Sequence, residues 1–216
     1  MIIQEKAIIS FAYKWLGDKK ANVIKGNHNH PYDDKALVEQ IIEVISQADY
    51  LVAHFGDKFD SRFLRSRALI NGVKAPPPVK QIDTYKLAKK YFHLNANRLD
   101  YLGKILGVGR KNSTSWKLWE KCAEGNKKAI NEMAEYNKQD VELLEAVFLK
   151  MLPHTTDTLN RRLFSIDAAV CPHCGSTHLQ KRGTMVNKAT KRQRYQCQSC
   201  YSWSTGKYVE TQACIN

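Results

Sequence analysis

Apolar positions along the chain recur at two periods, and their alternation outlines an α/β protein. Ile8 to Leu16 is β-branched and aromatic, Gly17-Asp18-Lys19-Lys20 supplies a turn, and Ala21 to Ile24 is a second short apolar run, so the opening predicts a hairpin. Asp33-Asp34 then caps a helix whose apolar positions Leu37, Ile41, Ile42, Val44 and Ile45 follow helical spacing. Tyr50 to His54 reads as a short strand, and Phe55-Gly56-Asp57-Lys58 turns it into a helix from Asp60 to Ile70, with Asp60 as ligand-side residue, helix N-cap or both. The stiff run Ala75-Pro76-Pro77-Pro78 leads into an edge strand, Val79 to Asp83, which feeds a helix from Thr84 to Phe92. Asn95-Ala96-Asn97 caps a further helix through Leu99, Leu102 and Leu106. From Trp116 the pattern is helical to Leu152, broken at Gly125-Asn126, with a buried stripe of Ile130, Met133, Ala134, Val141, Leu144, Val147, Phe148 and Met151.

Pro153 ends that helix, and residues 153–170 have the Thr-rich, Arg-bearing character of a linker with a short helix at Leu159 to Phe164. The expected organisation is a main domain over 1–152, this linker, and a small domain over 171–208. Asn27-His28-Asn29-His30-Pro31 has the letters of an HNH nuclease core but not the spread of ligands that motif needs, and it reads as a polar loop.

Composition narrows the class. The 216 residues carry a formal net charge of +13, which divides as +7 over 1–152 and +6 over the remainder, so polyanionic partners are favoured in both parts. No apolar run reaches membrane-spanning length, and the N-terminus lacks the charged-then-apolar order of a secretion signal; a cytoplasmic location with no membrane partner is the expectation. Four of the six cysteines form two Cys-x-x-Cys pairs, with Cys122 and Cys214 left over, which in a reducing compartment points to metal binding rather than disulfides.

Within the long C-terminal helical stretch, Tyr136-Asn137-Lys138-Gln139-Asp140 places a phenol and a carboxylate on one helix face. A tyrosine that orients water beside a metal-binding aspartate is half of a phosphodiester hydrolysis site, and the same spacing also describes a core tyrosine beside a solvated aspartate. Joined with His54-Phe55-Gly56-Asp57-Lys58-Phe59-Asp60, Ile82-Asp83-Thr84, Arg98-Leu99-Asp100-Tyr101-Leu102 and the helix between Arg62 and Ala68, this stretch resembles the ribonuclease H-like 3′-5′ exonucleases of the DEDD superfamily, tyrosine subtype. The resemblance covers roughly residues 8–152. It implies a mixed sheet flanked by helices and a Mg2+- or Mn2+-dependent hydrolase that releases 5′-mononucleotides. It also implies Asp60 and Asp140 as metal ligands and Tyr136 as the water-orienting group. DNA is favoured over RNA as partner, and a DNA polymerase or replication protein and a bacterial or phage setting are consistent with the family. The family's first motif, Asp-x-Glu, does not occur before Asp60, and Phe55 stands where the family often has Asn. A truncated or mis-started gene, a split gene, or a retired nuclease that only binds nucleic acid would each account for the missing motif.

Cys171-Pro172-His173-Cys174 and Cys197-Gln198-Ser199-Cys200 enclose 22 residues, a spacing suited to a tetrahedral zinc site of four thiolates. Lys181, Arg182, Lys191, Arg192 and Arg194 are interleaved with Tyr195, Tyr201 and Trp203, a composition that combines phosphate contact with base stacking. The segment resembles the zinc ribbons of insertion-sequence transposition proteins, which implies DNA binding and structural Zn2+. A non-catalytic nucleic-acid-binding protein, or a transposition or transcription factor, stands beside the exonuclease reading.

Overall fold

The computed structural model describes residues 5–56, 59–112, 114–155, 159–165, 169–188 and 190–208. Asp57, Lys58 and Cys214 lie outside them. The chain forms two compact units, Met1–Leu152 and Pro153–Asn216.

The first unit opens with the predicted hairpin, β1 (Ser10–Tyr13) antiparallel to β2 (Asn22–Lys25). Helix α1 (Lys35–Ser46) follows and buries Leu37, Val38, Ile41 and Ile45. Its inward face is thus rotated slightly from the expected one, with Val38 rather than Val44 fully buried. Strand β3 (Tyr50–Ala53), helix α2 (Asp60–Ile70), strand β4 (Lys80–Asp83) and helix α3 (Thr84–Tyr91) form a β-α-β-α run in which β3 and β4 pair in parallel. The hairpin and the parallel pair are separate two-stranded sheets among the described residues, so the expected single mixed sheet is present as two small ones. Helices α4 (Leu99–Ile105), α5 (Trp116–Ala123) and α6 (Lys127–Met151) complete the unit, with the break between α5 and α6 at Gly125-Asn126. Asn126 caps α6 by accepting from the N–H groups of Lys128 and Ala129. The α6 stripe buries Ile130, Met133, Ala134, Val147, Phe148 and Met151, and Leu143 takes the fully buried position expected of Leu144.

Two buried clusters among the described residues help hold these elements together. Leu37, Val38, Ile41, Ile45, Leu64 and Ala68 join α1 to α2, with Phe11 and Ile24 of the hairpin packed over them. Leu118, Cys122, Ala129, Ile130 and Met133 join α5 to α6, and Tyr136 packs against this second cluster.

Asp34 departs from its expected role. It makes no side-chain cap on α1; its carboxylate is almost fully buried and accepts from Arg67 Nε at 2.8 Å, Arg67 Nη2 at 2.7 Å, Asn71 Nδ2 at 2.7 Å and the Ile8 N–H at 2.8 Å. One side chain thereby ties the chain before β1 to α2. Burial alone would push its carboxyl up, but the hydrogen bonds from Arg67, Ile8 and Asn71 and the Arg67 charge outweigh it and hold Asp34 below the usual carboxylate range. Two other expected caps also shift by one position: Asp60 is the first residue of α2 after N-cap Phe59, and Arg98 rather than Asn97 precedes α4. Neither N-cap side chain bonds the helix terminus.

The polar Asn27-to-Pro31 loop is clamped by the α5–α6 turn. Gly125 has φ +77, and a Cβ there would lie 2.2 Å from the His28 carbonyl oxygen. Gly125→Ala is therefore expected to destabilise the unit by more than the roughly 1 kcal/mol of left-handed strain alone, read as a drop in the urea midpoint at unchanged slope. A midpoint equal to wild type would show that the loop yields freely.

In the second unit, β5 (Leu179–Val186), β6 (Lys191–Cys197) and β7 (Trp203–Tyr208) form an antiparallel sheet in that order. The segment read as a linker is not a bare tether. A short 3-10 helix occupies Arg161–Phe164, where the sequence suggested a longer one. The Arg161 N–H donates to the Pro172 carbonyl at 3.0 Å and its guanidinium to the carbonyls of His173 and Thr155. Arg162 donates to the carbonyls of Val170 at 2.7 Å and Thr205 at 2.9 Å.

Candidate functional site

In the first unit, Tyr136 and Asp140 stand one turn apart on α6, both half-buried. Between them and the other carboxylates comes a residue that sequence reasoning did not single out, Lys111, whose Nζ is 2.7 Å from Asp140 Oδ2 and 5.0 Å from the Tyr136 ring centroid. The Tyr136 phenol stands near enough to Lys111 and Asp140 to favour the charged form of each. Burial pushes the Asp140 carboxyl up, and Lys111 and Tyr136 offset only part of that rise. Burial alone would lower Lys111, but its bond to Asp140 and the nearby Tyr136 keep its ammonium charged, above the usual lysine range.

Lys111 sits on a loop built to hold it. Its N–H donates to Asp100 Oδ1 at 2.9 Å, and the neighbouring Asn112 amide donates to Gln139 on α6. Gly107 and Gly109 have φ +68 and +139, and a Cβ at Gly103 of α4 would fall 2.8 Å from the Gly109 carbonyl oxygen. The glycines thus bring the loop close to α4 where any side chain would keep it away.

Asp60 begins α2. Its side chain reaches solvent, yet the surrounding protein and the nearby Asp83 charge push its carboxyl above the ordinary range, against a lowering contribution from Lys111. Asp83 is a second residue without an assigned role in the sequence reading, although Ile82-Asp83-Thr84 figures in the resemblance. It ends β4, is 5% exposed, and its Oδ1 accepts from the N–H groups of Phe55 at 2.9 Å, Tyr85 at 2.9 Å and Lys86 at 3.4 Å. Its Oδ2 is buried with no hydrogen-bond partner, as is Asp140 Oδ1. Polar oxygens in that condition are costly unless something further engages them. Phe55, fixed by Asp83, takes a left-handed φ of +63 and lays its ring edgewise on Tyr85 at 5.0 Å. His54 Nδ1 is 2.8 Å from Thr84 Oγ1, and burial holds its ring neutral more firmly than that of a free histidine.

The structure therefore brings Tyr136 and Asp140 together with Lys111, while Asp60 feels that charge only weakly and without a contact to it among the described residues. Their carboxylate oxygens do not converge into a three-ligand cluster: among the described residues, only Cys171, Cys174, Cys197 and Cys200 do so. The donor set of Asp60, Asp83 and Asp140, with two orphaned buried oxygens, suits a hard divalent cation by chemistry, but Lys111 already occupies one oxygen of Asp140.

In the second unit the four sulfurs lie within 4.8 Å of one another, with Cys171–Cys200 at 3.7 Å and Cys174–Cys197 at 3.6 Å. Sulfurs about 2.3 Å from a tetrahedral zinc stand about 3.8 Å apart, so this set fits Zn2+. The two knuckles share one design. Cys171 O accepts from Gly175 N and Cys171 N donates to Ser176 O, while Cys197 O accepts from Tyr201 N and Cys197 N donates to Ser202 O. The residue after each pair is left-handed, Gly175 at φ +78 and Tyr201 at +59. The thiols respond unequally. Burial and the neighbouring cysteines push Cys174 up to about 12, and Ser202 overcomes burial to hold Cys200 down to about 6. Four ionised thiols this close require a cation among them.

The basic residues of this unit divide between the two faces of its sheet. Arg194 lies over the Trp203 ring at 4.3 Å, and β6–β7 register puts Gln196 opposite Trp203, so these share a face. Tyr195, Lys181 and Ser204 share the other. A Cβ at Gly206 would lie 2.8 Å from the Tyr195 ring, so Tyr195 is packed over that glycine, while Trp203 is 45% exposed. Lys181 and Arg182 are exposed on β5, and Lys191 and Arg192 are half-buried at the start of β6.

No helix among the described residues is long and apolar enough to cross a membrane. No curated protein and no solved structure matches the chain. The α/β architecture with its small sheets fits a ribonuclease H-like fold, and because residues 4–152 match the RNase H superfamily the chain belongs to that superfamily.

Proposed function

We propose that this protein is a metal-dependent 3′-5′ exonuclease of the DEDD type, with the cysteine unit a zinc ribbon that grips the nucleic acid, preferentially DNA. The observation that carries it is the half-buried pair Tyr136 and Asp140 on one face of α6, with Asp140 Oδ1 buried and unpartnered, inside a unit of the RNase H superfamily. Asp60 and Asp140 are the residues to hold Mg2+ or Mn2+, and a divalent ion bound there supplies positive charge for a phosphodiester whose negative charge grows during hydrolysis. The Tyr136 hydroxyl orients water. Partial burial of Asp140 strengthens the field of its charge. In the second unit, Lys181, Arg182, Lys191, Arg192 and Arg194 contact phosphates, and Trp203, backed by Arg194, stacks on a base. Tyr195 packs over Gly206 and offers its contact on the opposite face, beside Lys181.

Single-stranded DNA labelled at its 5′ end is expected to shorten from the 3′ end with zinc-loaded protein and Mn2+. Asp60→Ala and Asp140→Ala each lower the rate by at least about a thousandfold, the scale of removing a transition-state charge partner, with binding retained. A zinc-loaded wild-type chain that binds but never cuts would instead support the second reading, a nucleic-acid-binding protein on a degenerate nuclease unit. The Lys111–Asp140 ion pair favours that reading.

A further inference from the structure

Resting on the reading of the cysteine unit as a ribbon that grips DNA, we infer that this unit selects single-stranded over duplex DNA, by stacking one unpaired base on Trp203 from one face of its sheet.

Strand register decides which face. Arg194 and Gln196 stand on the same side of β6, Trp203 of β7 pairs with Gln196 from one edge, and Gln180 of β5 pairs with it from the other. The opposite side of β7 is already engaged by the chain itself. Ser204 Oγ there accepts from Arg162 at 3.4 Å, and the Tyr195 ring lies against Gly206. On the first side Trp203 is 45% exposed and Arg194 is exposed beside it. The guanidinium carbon is 4.3 Å from the indole centroid, so it covers one face of the ring and holds a positive charge next to it. The open area of Trp203 therefore lies on its remaining face and edge, which suits a flat apolar group carried on an anionic chain.

Charge names that chain. No acidic residue occurs anywhere in 168–209, while Lys181, Arg182, Lys188, Lys191, Arg192, Arg194 and Lys207 all fall within it. A polyanion is the matching partner, and a base beside its phosphate supplies both the ring for Trp203 and the charge for Arg194. Pairing state follows from the stacking. In a duplex each base is covered by its neighbours, and freeing one costs a few kcal/mol, whereas an unpaired strand offers its base faces without that cost. Among the described residues this unit has no helix beyond the four-residue turn at Arg161–Phe164, so it brings no helix of a length to lie in a major groove.

Fluorescence anisotropy with the zinc-loaded full-length chain, without added Mg2+ or Mn2+, compares three labelled probes. They are a single DNA strand of mixed sequence, the same strand annealed to its complement, and a strand of equal length made of abasic sites throughout. Wild type is expected to bind the single strand at least about tenfold more tightly than either of the others, the scale of one base–aromatic stack. Trp203→Ala, verified as folded by circular dichroism and zinc content, is expected to bind the single strand no better than wild type binds the abasic one, and Trp203→Phe to keep most of the preference. A duplex or an abasic strand bound by wild type as tightly as the single strand would overturn the inference whether or not Trp203→Ala folds, and would leave the ribbon's grip on DNA intact. A folded Trp203→Ala with wild-type affinity for the single strand would do the same. Absence of binding to all three probes would overturn the inference and the ribbon reading together.

Discussion

Asp34→Ala is expected to destabilise the first unit by about 3–5 kcal/mol, the cost of stranding one partner of a buried ion pair. The carboxylate it removes serves Arg67 twice, Asn71 and the Ile8 N–H, and Arg67 is itself only 4% exposed. A guanidinium left in that place has lost its counter-ion and cannot reach water without opening the contact between α1 and α2. Stability of small domains is about 5–15 kcal/mol, so the loss is a large share of it. Urea unfolding followed by circular dichroism measures it, and a loss under about 1 kcal/mol would show that the pair is not the pin described. Replacing Asp34 and Arg67 together by apolar residues of similar volume is expected to cost less than Asp34→Ala alone. The pH dependence has a definite sign. The folded carboxyl titrates below its ordinary value of 3.8, so its contribution is fully present above that value and is lost as pH falls through the lower folded one.

Removal of the zinc proposed at the four sulfurs is the second large effect. Structural zinc sites of this kind bind with about 10–16 kcal/mol at neutral pH, and that free energy is the folding free energy of a unit too small for a sufficient core. Chelation, or Cys197→Ser, is expected to unfold the second unit while Met1–Leu152 stays folded. Limited proteolysis should then cleave after Pro153 and leave a stable fragment of the first unit. Unchanged resistance of residues beyond 153 in chelator would show that the four sulfurs hold no ion that matters to the fold.

Much of this architecture is legible in the residues because local signals carry it. The helix of Leu37, Ile41 and Ile45, the break at Gly125-Asn126, the hairpin at the start and the paired Cys-x-x-Cys all depend on spacing within a few residues. What local signals missed depends on partners far along the chain. Asp34 precedes a helix and so has every mark of a cap, but Arg67 and Asn71, more than thirty residues on, bury it instead. Lys111 follows two glycines in a polar stretch where a lysine carries no message. Its position depends on Asp100 and on Asp140, one from the preceding helix and one from α6. Asp83 was visible as part of Ile82-Asp83-Thr84, but only the fold reveals that one of its oxygens caps α3 and the other has no partner.

Arg161 and Arg162 bear on how the second unit could be used apart from the first. Their guanidinium groups close over backbone carbonyls around the first knuckle and at β7, fixing the chain that enters the cysteine cluster. The portable module therefore starts near Pro153 and not at its first cysteine. A graft cut at Cys171 would carry all four sulfurs and leave behind the two side chains that hold their scaffold in shape.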